Sequence, residues 1–362
     1  MTKIKTLIVD DSALMQNLLV SILAEVPDIE VVGLAADPYI ARDKIKTLNP
    51  DVLTLDIEMP RMDGLTFLSN LMRLRPMPVI MLSSLTQEGA ETTLKALSYG
   101  AVDFLPKPDL NSSGHGLEDY ARELISKIRV AAGSRVHRFS PAKSGNNPEK
   151  DPEKSTAQRA AELSGTDAAV KMVIAIGAST GGTEAIREVV KHLPADTPPI
   201  VISQHLPLSF SQSFTRHVDR ASKMRVQLAE NDMHLETGNV YIAPGGQHLL
   251  VRRAARHRYI IELDEGVPVN RHRPSVDVMF RSVAESLGPQ SVGILLTGMG
   301  VDGAQGLKAM HDSGAITLAQ DQNTSVVWGM PGEAHRLGAV DHLLPLSKIP
   351  NKLLTSITKL QS

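Results

Sequence analysis

The chain has 362 residues, too many for one small domain and enough for two α/β units. A formal net charge of −2 gives no polyelectrolyte signal for nucleic acid or a membrane surface, and 3% aromatic residues argue against stacking platforms for single strands. The absence of cysteine excludes a disulfide framework, a thiolate zinc site and a cysteine nucleophile. No stretch approaches the roughly 20 apolar residues that span a bilayer, and the N-terminal apolar run ends at Asp10, too short for a signal peptide. The expectation is a cytoplasmic protein with no nucleic acid partner and no membrane insertion.

In the first third, short apolar runs each end in a polar group. Residues 5–9 lead into Asp10 and Asp11, residues 51–55 into Asp56, residues 78–82 into Ser83, and residues 102–105, carrying Phe104, into Lys107. Strands that are apolar throughout belong to parallel sheets covered on both faces, and ligands of such sheets bind beyond the strands' carboxyl ends. Three carboxylates, a hydroxyl and an ammonium are thus aimed at one point. Asp56 suits attack on a phosphoryl group. Asp10, Asp11 and Asp56 offer the hard oxygen ligands that Mg2+ takes beside a substrate phosphate. Lys107 sets a compact positive charge against the new dianion, while Ser83 and Phe104 supply a hydroxyl and a ring that can move with it. A lone strand-end aspartate is as readily a helix cap; the ordered set is what points to phosphoryl chemistry.

The stretches Leu7-Ile-Val-Asp-Asp-Ser12 and Asp56-Ile-Glu-Met-Pro-Arg-Met-Asp-Gly64, with the Lys107-Pro108 pair, make residues 1–130 resemble a receiver domain of a bacterial two-component response regulator. The resemblance implies a flavodoxin-like (βα)5 domain in which Asp56 takes phosphate from a histidine kinase with Mg2+ present. Ser83, Phe104 and Lys107 are its implied switch residues.

After an amphipathic segment over residues 117–132 the composition changes. Residues 133–167 are rich in Ser, Pro, Lys, Glu, Asn and Gly, and bury too little apolar surface to offset their ordering entropy. A flexible linker is assigned to residues 131–168, with a short helix near 156–163. Strand signals return at 172–176, followed by Gly177-Ala-Ser-Thr-Gly-Gly182 and a helical pattern at 183–193. Further strands are expected at 199–203, 224–229, 239–243, 248–252 and 258–263, two of them joined by the turn Pro244-Gly-Gly246. A helix around 275–287, a buried strand at 291–297, a helix from Gly303 to His311 and a strand at 315–319 follow. The alternation predicts a doubly wound, mainly parallel α/β domain over residues 169–355 with a β-hairpin insertion.

Ser179, His205 and Asp302 follow three of these strands, so a parallel sheet lays them along one edge. A hydroxyl nucleophile needs a base within hydrogen-bond reach, and the base needs an acid to fix its tautomer. Gly177-Ala-Ser179-Thr-Gly181 also fits a sharp G-x-S-x-G turn, and the helix start beyond it offers N–H groups to an oxyanion. Singly, Ser179 serves equally as a helix cap, and His205 is one of twelve histidines. His217, His234 and His248 look like surface or packing residues. The rival reading is dinucleotide binding: Gly298-Met-Gly300-Val-Asp-Gly303 matches G-x-G-x-x-G between a strand and a helix, with Asp321 where a ribose-binding acid belongs. Against it, Asp302 would oppose a pyrophosphate in that cradle. A DNA-binding output is disfavoured by the charge balance and by the lack of a compact basic helix-turn-helix pattern.

Five stretches make residues 170–350 resemble the catalytic domain of chemotaxis protein-glutamate methylesterases, the CheB type. They are Gly177-Ala-Ser-Thr-Gly-Gly182, Gln204-His205-Leu-Pro207, Tyr241-Ile-Ala-Pro-Gly-Gly246, Arg271-His-Arg-Pro-Ser-Val-Asp277 and Leu296-Thr-Gly-Met-Gly-Val-Asp-Gly303. The resemblance implies Ser179 as nucleophile, His205 as general base and acid, and Asp302 as its orienting carboxylate. The backbone N–H of Met299, with one near Thr180, would serve the oxyanion. The implied reaction is hydrolysis of glutamate γ-methyl esters on methyl-accepting chemoreceptors, releasing methanol, with deamidation of certain receptor glutamines and no metal or cofactor for that step. It further implies that the unphosphorylated receiver packs over the catalytic cleft and that phosphate on Asp56 loosens it. Arg252, Arg253, Arg256, Arg258, Arg271 and Arg273 either meet an acidic receptor surface or form a solvated face.

Overall fold

The computed structural model describes residues 3–84, 86–108, 114–134, 170–255 and 258–361. The linker beyond residue 134, the helix near 156–163 and Arg256 lie outside them.

The N-terminal domain is a parallel five-stranded sheet in the order β2-β1-β3-β4-β5, with β1 Ile4–Val9, β2 Ile29–Ala35, β3 Val52–Asp56, β4 Val79–Ser83 and β5 Asp103–Pro106. β3 and β4 are buried at every position, as strands covered on both faces must be. The covering helices are α1 Ala13–Ala24, α2 Pro38–Leu48, α3 Gly64–Leu74, α4 Gln87–Ser98 and α5 Gly114–Gly133. Side chains of Ser12, Asp37, Asp63 and Thr86 cap the first four, each accepting from a first-turn N–H. The chain runs outward from β1 to β2 and then back across to β3. That reversal opens a crevice between the carboxyl ends of β1 and β3, where Asp10 and Asp56 lie. Helix α5 continues three residues past the boundary read at residue 130.

The C-terminal domain carries a seven-stranded, all-parallel sheet in the order β14-β13-β12-β6-β7-β9-β8. Its strands are β6 Val173–Ala178, β7 Ile200–Gln204, β8 Arg225–Leu228, β9 Asn239–Ile242, β12 Ser291–Leu295, β13 Ile316–Gln320 and β14 His342–Leu344. An antiparallel hairpin, β10 His248–Ala255 with β11 Arg258–Asp264, is inserted between the two halves. The turn Pro244-Gly-Gly246 passes the chain from β9 in the main sheet to β10 in the hairpin; it changes sheets and closes neither. The helices are α6 Gly182–Lys191, α7 Leu208–Asp219, α8 Val276–Leu287, α9 Ala304–Asp312, α10 Met330–Arg336 and α11 Ile349–Gln361. Leu249, Val251, Tyr259 and Ile261 of the hairpin share an apolar cluster with Met279, Phe280 and Val283 of α8. Among the described residues, no helix is long and apolar enough to cross a membrane.

The sheet grows from β6 toward β8, then restarts on the other side at β12, so its switch point lies between β6 and β12. Ser179 follows β6, His205 follows β7 and Asp302 follows β12, three adjacent strands. Helix α8 reaches this edge because β6 carries a glycine beneath it. A Cβ on Gly177 would lie 2.1 Å from Val276 Cγ1. Gly177→Ala is therefore expected to lower the unfolding free energy by about 1–3 kcal/mol through overpacking, read as an earlier urea transition of the C-terminal domain. An unchanged midpoint would mean that α8 yields at no cost.

Candidate active site

Ser179 sits on a turn pinned from three sides. Its N–H donates to Thr297 O at 3.0 Å, and its carbonyl accepts from Gly182 N at 2.7 Å and Gln204 Nε2 at 3.0 Å. Gly181 caps α6 at φ +74°, and a Cβ there would also meet Val326 Cγ2 at 2.6 Å, so only glycine fits. The Ser179 hydroxyl meets His205 Nδ1 at 3.1 Å, and His205 Nε2 meets Asp302 Oδ2 at 2.8 Å. The structure thus brings together three residues that lie 26 and 97 positions apart in sequence.

Asp302 is the most heavily bonded group here. Besides His205, it accepts from Asn270 Nδ2 at 2.8 Å, Ser275 Oγ at 2.7 Å, Val276 N at 2.7 Å and Asp277 N at 3.3 Å. Burial opposes its charge, but the bonds from His205, Asn270 and Ser275 outweigh that and hold the carboxyl well below the usual carboxylate range. An ionised carboxylate only accepts, so His205 carries its proton on Nε2 and leaves Nδ1 free to take one from serine. Neither the Thr180 N–H nor the Met299 N–H has a hydrogen-bond acceptor among the described residues. A hydroxyl, an imidazole and a carboxylate in hydrogen-bonded series, with unsatisfied N–H groups on Thr180 and Met299, are the kinds of group that acyl transfer requires.

Sequence reasoning missed the supports of this constellation. Asn270 Nδ2 bridges Asp302 Oδ1 and Asp277 Oδ2, at 2.8 and 2.9 Å. His248 is buried: its Nδ1 accepts from Ser275 N and its Nε2 donates to Val267 O, both at 3.1 Å, so this packing residue steadies Ser275. The ring of His272 stacks on that of His205. His217 pairs with Glu184 at 2.8 Å, and the His234 backbone bridges to Ile260. The dinucleotide reading loses both of its acids. Asp302 turns toward His205, and Asp321 Oδ1 caps its own turn through Thr324 N and Oγ1, at 2.9 and 2.7 Å. Three of the six arginines are bonded within the domain. Arg252 pairs with Glu262 at 2.7 Å, Arg253 donates to Ser286 O at 2.6 Å, and Arg273 donates to the Gly266 carbonyl at 2.9 Å. Arg271 is exposed.

In the N-terminal crevice, carboxylate oxygens of Asp10, Asp11 and Asp56 lie within 4.8 Å of one another. Lys107 Nζ stands 2.8 Å from Asp56 Oδ2 and 3.2 Å from Asp10 Oδ2. Burial pushes Asp56 up to about 6, with Asp10 adding to the rise and Lys107 opposing it. This all-carboxylate donor set fits a hard divalent cation such as Mg2+. The Ser83 hydroxyl donates to Ser84 O at 3.0 Å and accepts from Thr93 Oγ1 at 2.8 Å. Phe104 turns the other way, stacked on Phe210 of α7 at 4.4 Å between centroids.

That stack is part of the contact between the domains. Arg216 of α7 pairs with Glu91 of α4 at 2.8 Å. Asp103 Oδ2 accepts from Thr180 Oγ1 at 2.5 Å and from Lys127 Nζ at 2.8 Å, while the Ser126 hydroxyl donates to Met299 Sδ at 3.4 Å. The N-terminal domain therefore touches the side chains of both residues whose N–H groups flank Ser179. The His205 side chain keeps only 8% of its surface exposed.

Residues 174–353 match the CheB methylesterase family, and residues 6–112 match the response regulator receiver domain. A protein-glutamate methylesterase/protein-glutamine glutaminase of Hydrogenovibrio crunogenus is 51% identical, over 99% of this chain and 100% of its own length. Its counterpart numbered 1 in Xanthomonas campestris pv. campestris is 52% identical, over 98% of this chain and 97% of its own. Among solved structures, the Thermotoga maritima CheB methylesterase catalytic domain is 36% identical and superposes with a TM-score of 0.50, covering 51% of this chain and 97% of that one. With both domains matched and about half of all residues shared along its length, the chain belongs to the CheB family of receiver-linked protein-glutamate methylesterases/protein-glutamine glutaminases.

Proposed function

We propose that Ser179, His205 and Asp302 carry the reaction of this protein-glutamate methylesterase/protein-glutamine glutaminase: hydrolysis of glutamate γ-methyl esters, and of certain glutamine amides, on the cytoplasmic helices of methyl-accepting chemoreceptors. The observation that supports it is the unbroken relay from Ser179 Oγ through the His205 ring to Asp302. Ser179 Oγ attacks the ester carbonyl as His205 Nδ1 takes its proton. The Asp302 carboxylate steadies the imidazolium through Nε2–H. The N–H groups of Thr180 and Met299 receive the negative oxygen of the tetrahedral adduct, a term worth roughly a hundredfold or more per donor. Collapse breaks the bond to the methoxy oxygen, which leaves as methanol with the proton from Nδ1; from a glutamine the leaving group is ammonia. Water, deprotonated by the same ring, then cleaves the acyl-enzyme and restores Ser179.

The receiver domain governs this site. We assign Asp56 as the residue phosphorylated by the chemotaxis histidine kinase. Asp10, Asp11 and Asp56 would hold Mg2+, which supplies neutralisation of the charge gathered on the phosphoryl oxygens. Lys107 pairs with the phosphate, and Ser83 leaves Thr93 to donate to it. Phe104 follows into the space vacated, abandoning Phe210, and its neighbour Asp103 releases Thr180. Phosphate thus favours an open arrangement over the closed one.

Three outcomes test these assignments. Ser179→Ala is expected to cut methanol release from methylated receptor membranes by about a thousandfold or more without changing the unfolding midpoint; retention of a large share of activity sinks the serine mechanism. Asp56→Asn is expected to hold a low rate that no phosphodonor raises, and residues 168–362 alone should exceed the intact unphosphorylated protein. A slower fragment would rule out inhibition by the receiver. Arg216→Glu should raise the unphosphorylated rate about two- to fivefold, and the charge-swapped pair Glu91→Arg with Arg216→Glu should bring it back down. A swap that fails to restore inhibition removes this ion pair from the closing contact.

A further inference from the structure

The mechanism above leaves His272 without a task. Its imidazole lies nearly parallel to that of His205, with ring centroids 3.7 Å apart and planes within 11°. A tight turn holds it there: Val269 and His272 exchange both backbone hydrogen bonds, at 2.9 and 3.1 Å. Asn270 and Arg271 close that turn in the left-handed region, at φ +52° and +69°. From inside the turn Asn270 reaches Asp302 Oδ1, and Ser275, just beyond it, reaches the same oxygen. The carboxylate that grips His205 by its Nε2 edge therefore also anchors the ring lying on its face. Among the described residues the His272 ring nitrogens make no hydrogen bond, so the ring acts through its face.

Two hydrogen bonds, one at each nitrogen of His205, define a line through its ring. Both bonds act in the plane of the ring at its edge, and neither touches its face. A ring stacked on the face adds resistance to tilting of that plane. We propose that His272 is a positioning residue for the catalytic base, resting on the reading of His205 given above. Its stacked ring fixes the plane in which Nδ1 meets Ser179 and Nε2 meets Asp302, and it offers a π face to the imidazolium formed during attack. That face attracts a cation only while His272 is itself neutral. Burial, together with His205, Lys127 of α5 and Arg271, pushes its pKa down to about 4 against the pull of Asp302. The His272 ring is uncharged at neutral pH.

The test uses the full-length phosphorylated protein and methylated receptor membranes, with His272→Phe and His272→Leu, both of which fill the volume. The expected result is a kcat within about threefold of wild type for the phenylalanine variant, and a loss of about tenfold in kcat with KM unchanged for the leucine variant. In histidine-labelled protein, the downfield Nε2–H proton of His205 should persist with phenylalanine and broaden by exchange with leucine. A leucine variant as active as wild type overturns the proposal. So does a phenylalanine variant that falls as far as leucine, which would move the role to the ring nitrogens. His205→Gln separates the two layers: if it stays active the base reading itself fails, whereas an inactive His205→Gln beside a fully active leucine variant removes only the stacking role.

Discussion

A single ionised carboxylate organises the C-terminal domain's working edge. Asp302 is buried, and a charge taken out of water costs several kcal/mol unless donors replace the solvent. The donors come from separate segments: the turn at Asn270, the start of α8 at Ser275 to Asp277, and the loop after β7 at His205. Helix α8 has no side-chain cap from Ser275, its N-cap residue; two of its orphan N–H groups, on Val276 and Asp277, are met by Asp302 instead. The positive end of α8 and the negative carboxylate thus stabilise each other. Any displacement of one segment leaves a buried charge short of a partner, so the geometry of the site and the local stability of the fold are the same property.

Asp277 extends the arrangement into the next helix. Its Oδ1 accepts from Gly306 N of α9 at 2.6 Å, while Oδ2 takes the second hydrogen of Asn270. Burial raises its pKa, and the Gly306, Asn270 and Arg281 contacts work against that rise. The amide of Asn270 separates two carboxylates that would otherwise repel across a dry gap. Its left-handed backbone is tolerated because its side chain is held at both ends.

What the residues disclosed in advance follows from range. Strand-end groups such as Asp56, Ser179 and His205 are legible because a buried run and the polar residue after it are neighbours in sequence, and a parallel sheet then gathers them. Asn270, Ser275 and His272 were not legible. Their partner Asp302 lies 27 to 32 positions away from the first two, in another loop, and no periodicity links them. His248 reads from sequence as a surface or packing residue; the fold shows it buried, with Nδ1 against the backbone of Ser275. Between β13 and α11 the elements are too short to register as patterns: β14 has three residues and α10 has seven. Arg252 read as part of a charged surface because its acidic partner, Glu262, sits across a strand pair.

Phe104 is shared property: it belongs to the receiver's hydrophobic core and, through Phe210, to its neighbour's. Binding free energies between two linked events are reciprocal. If a modification at Asp56 weakens the grip on Phe210, that grip must by the same amount resist the modification. On the phosphorylation proposed for Asp56, the docked catalytic domain is a thermodynamic load on that carboxylate, and it would set how strong a donor signal is needed before the esterase answers.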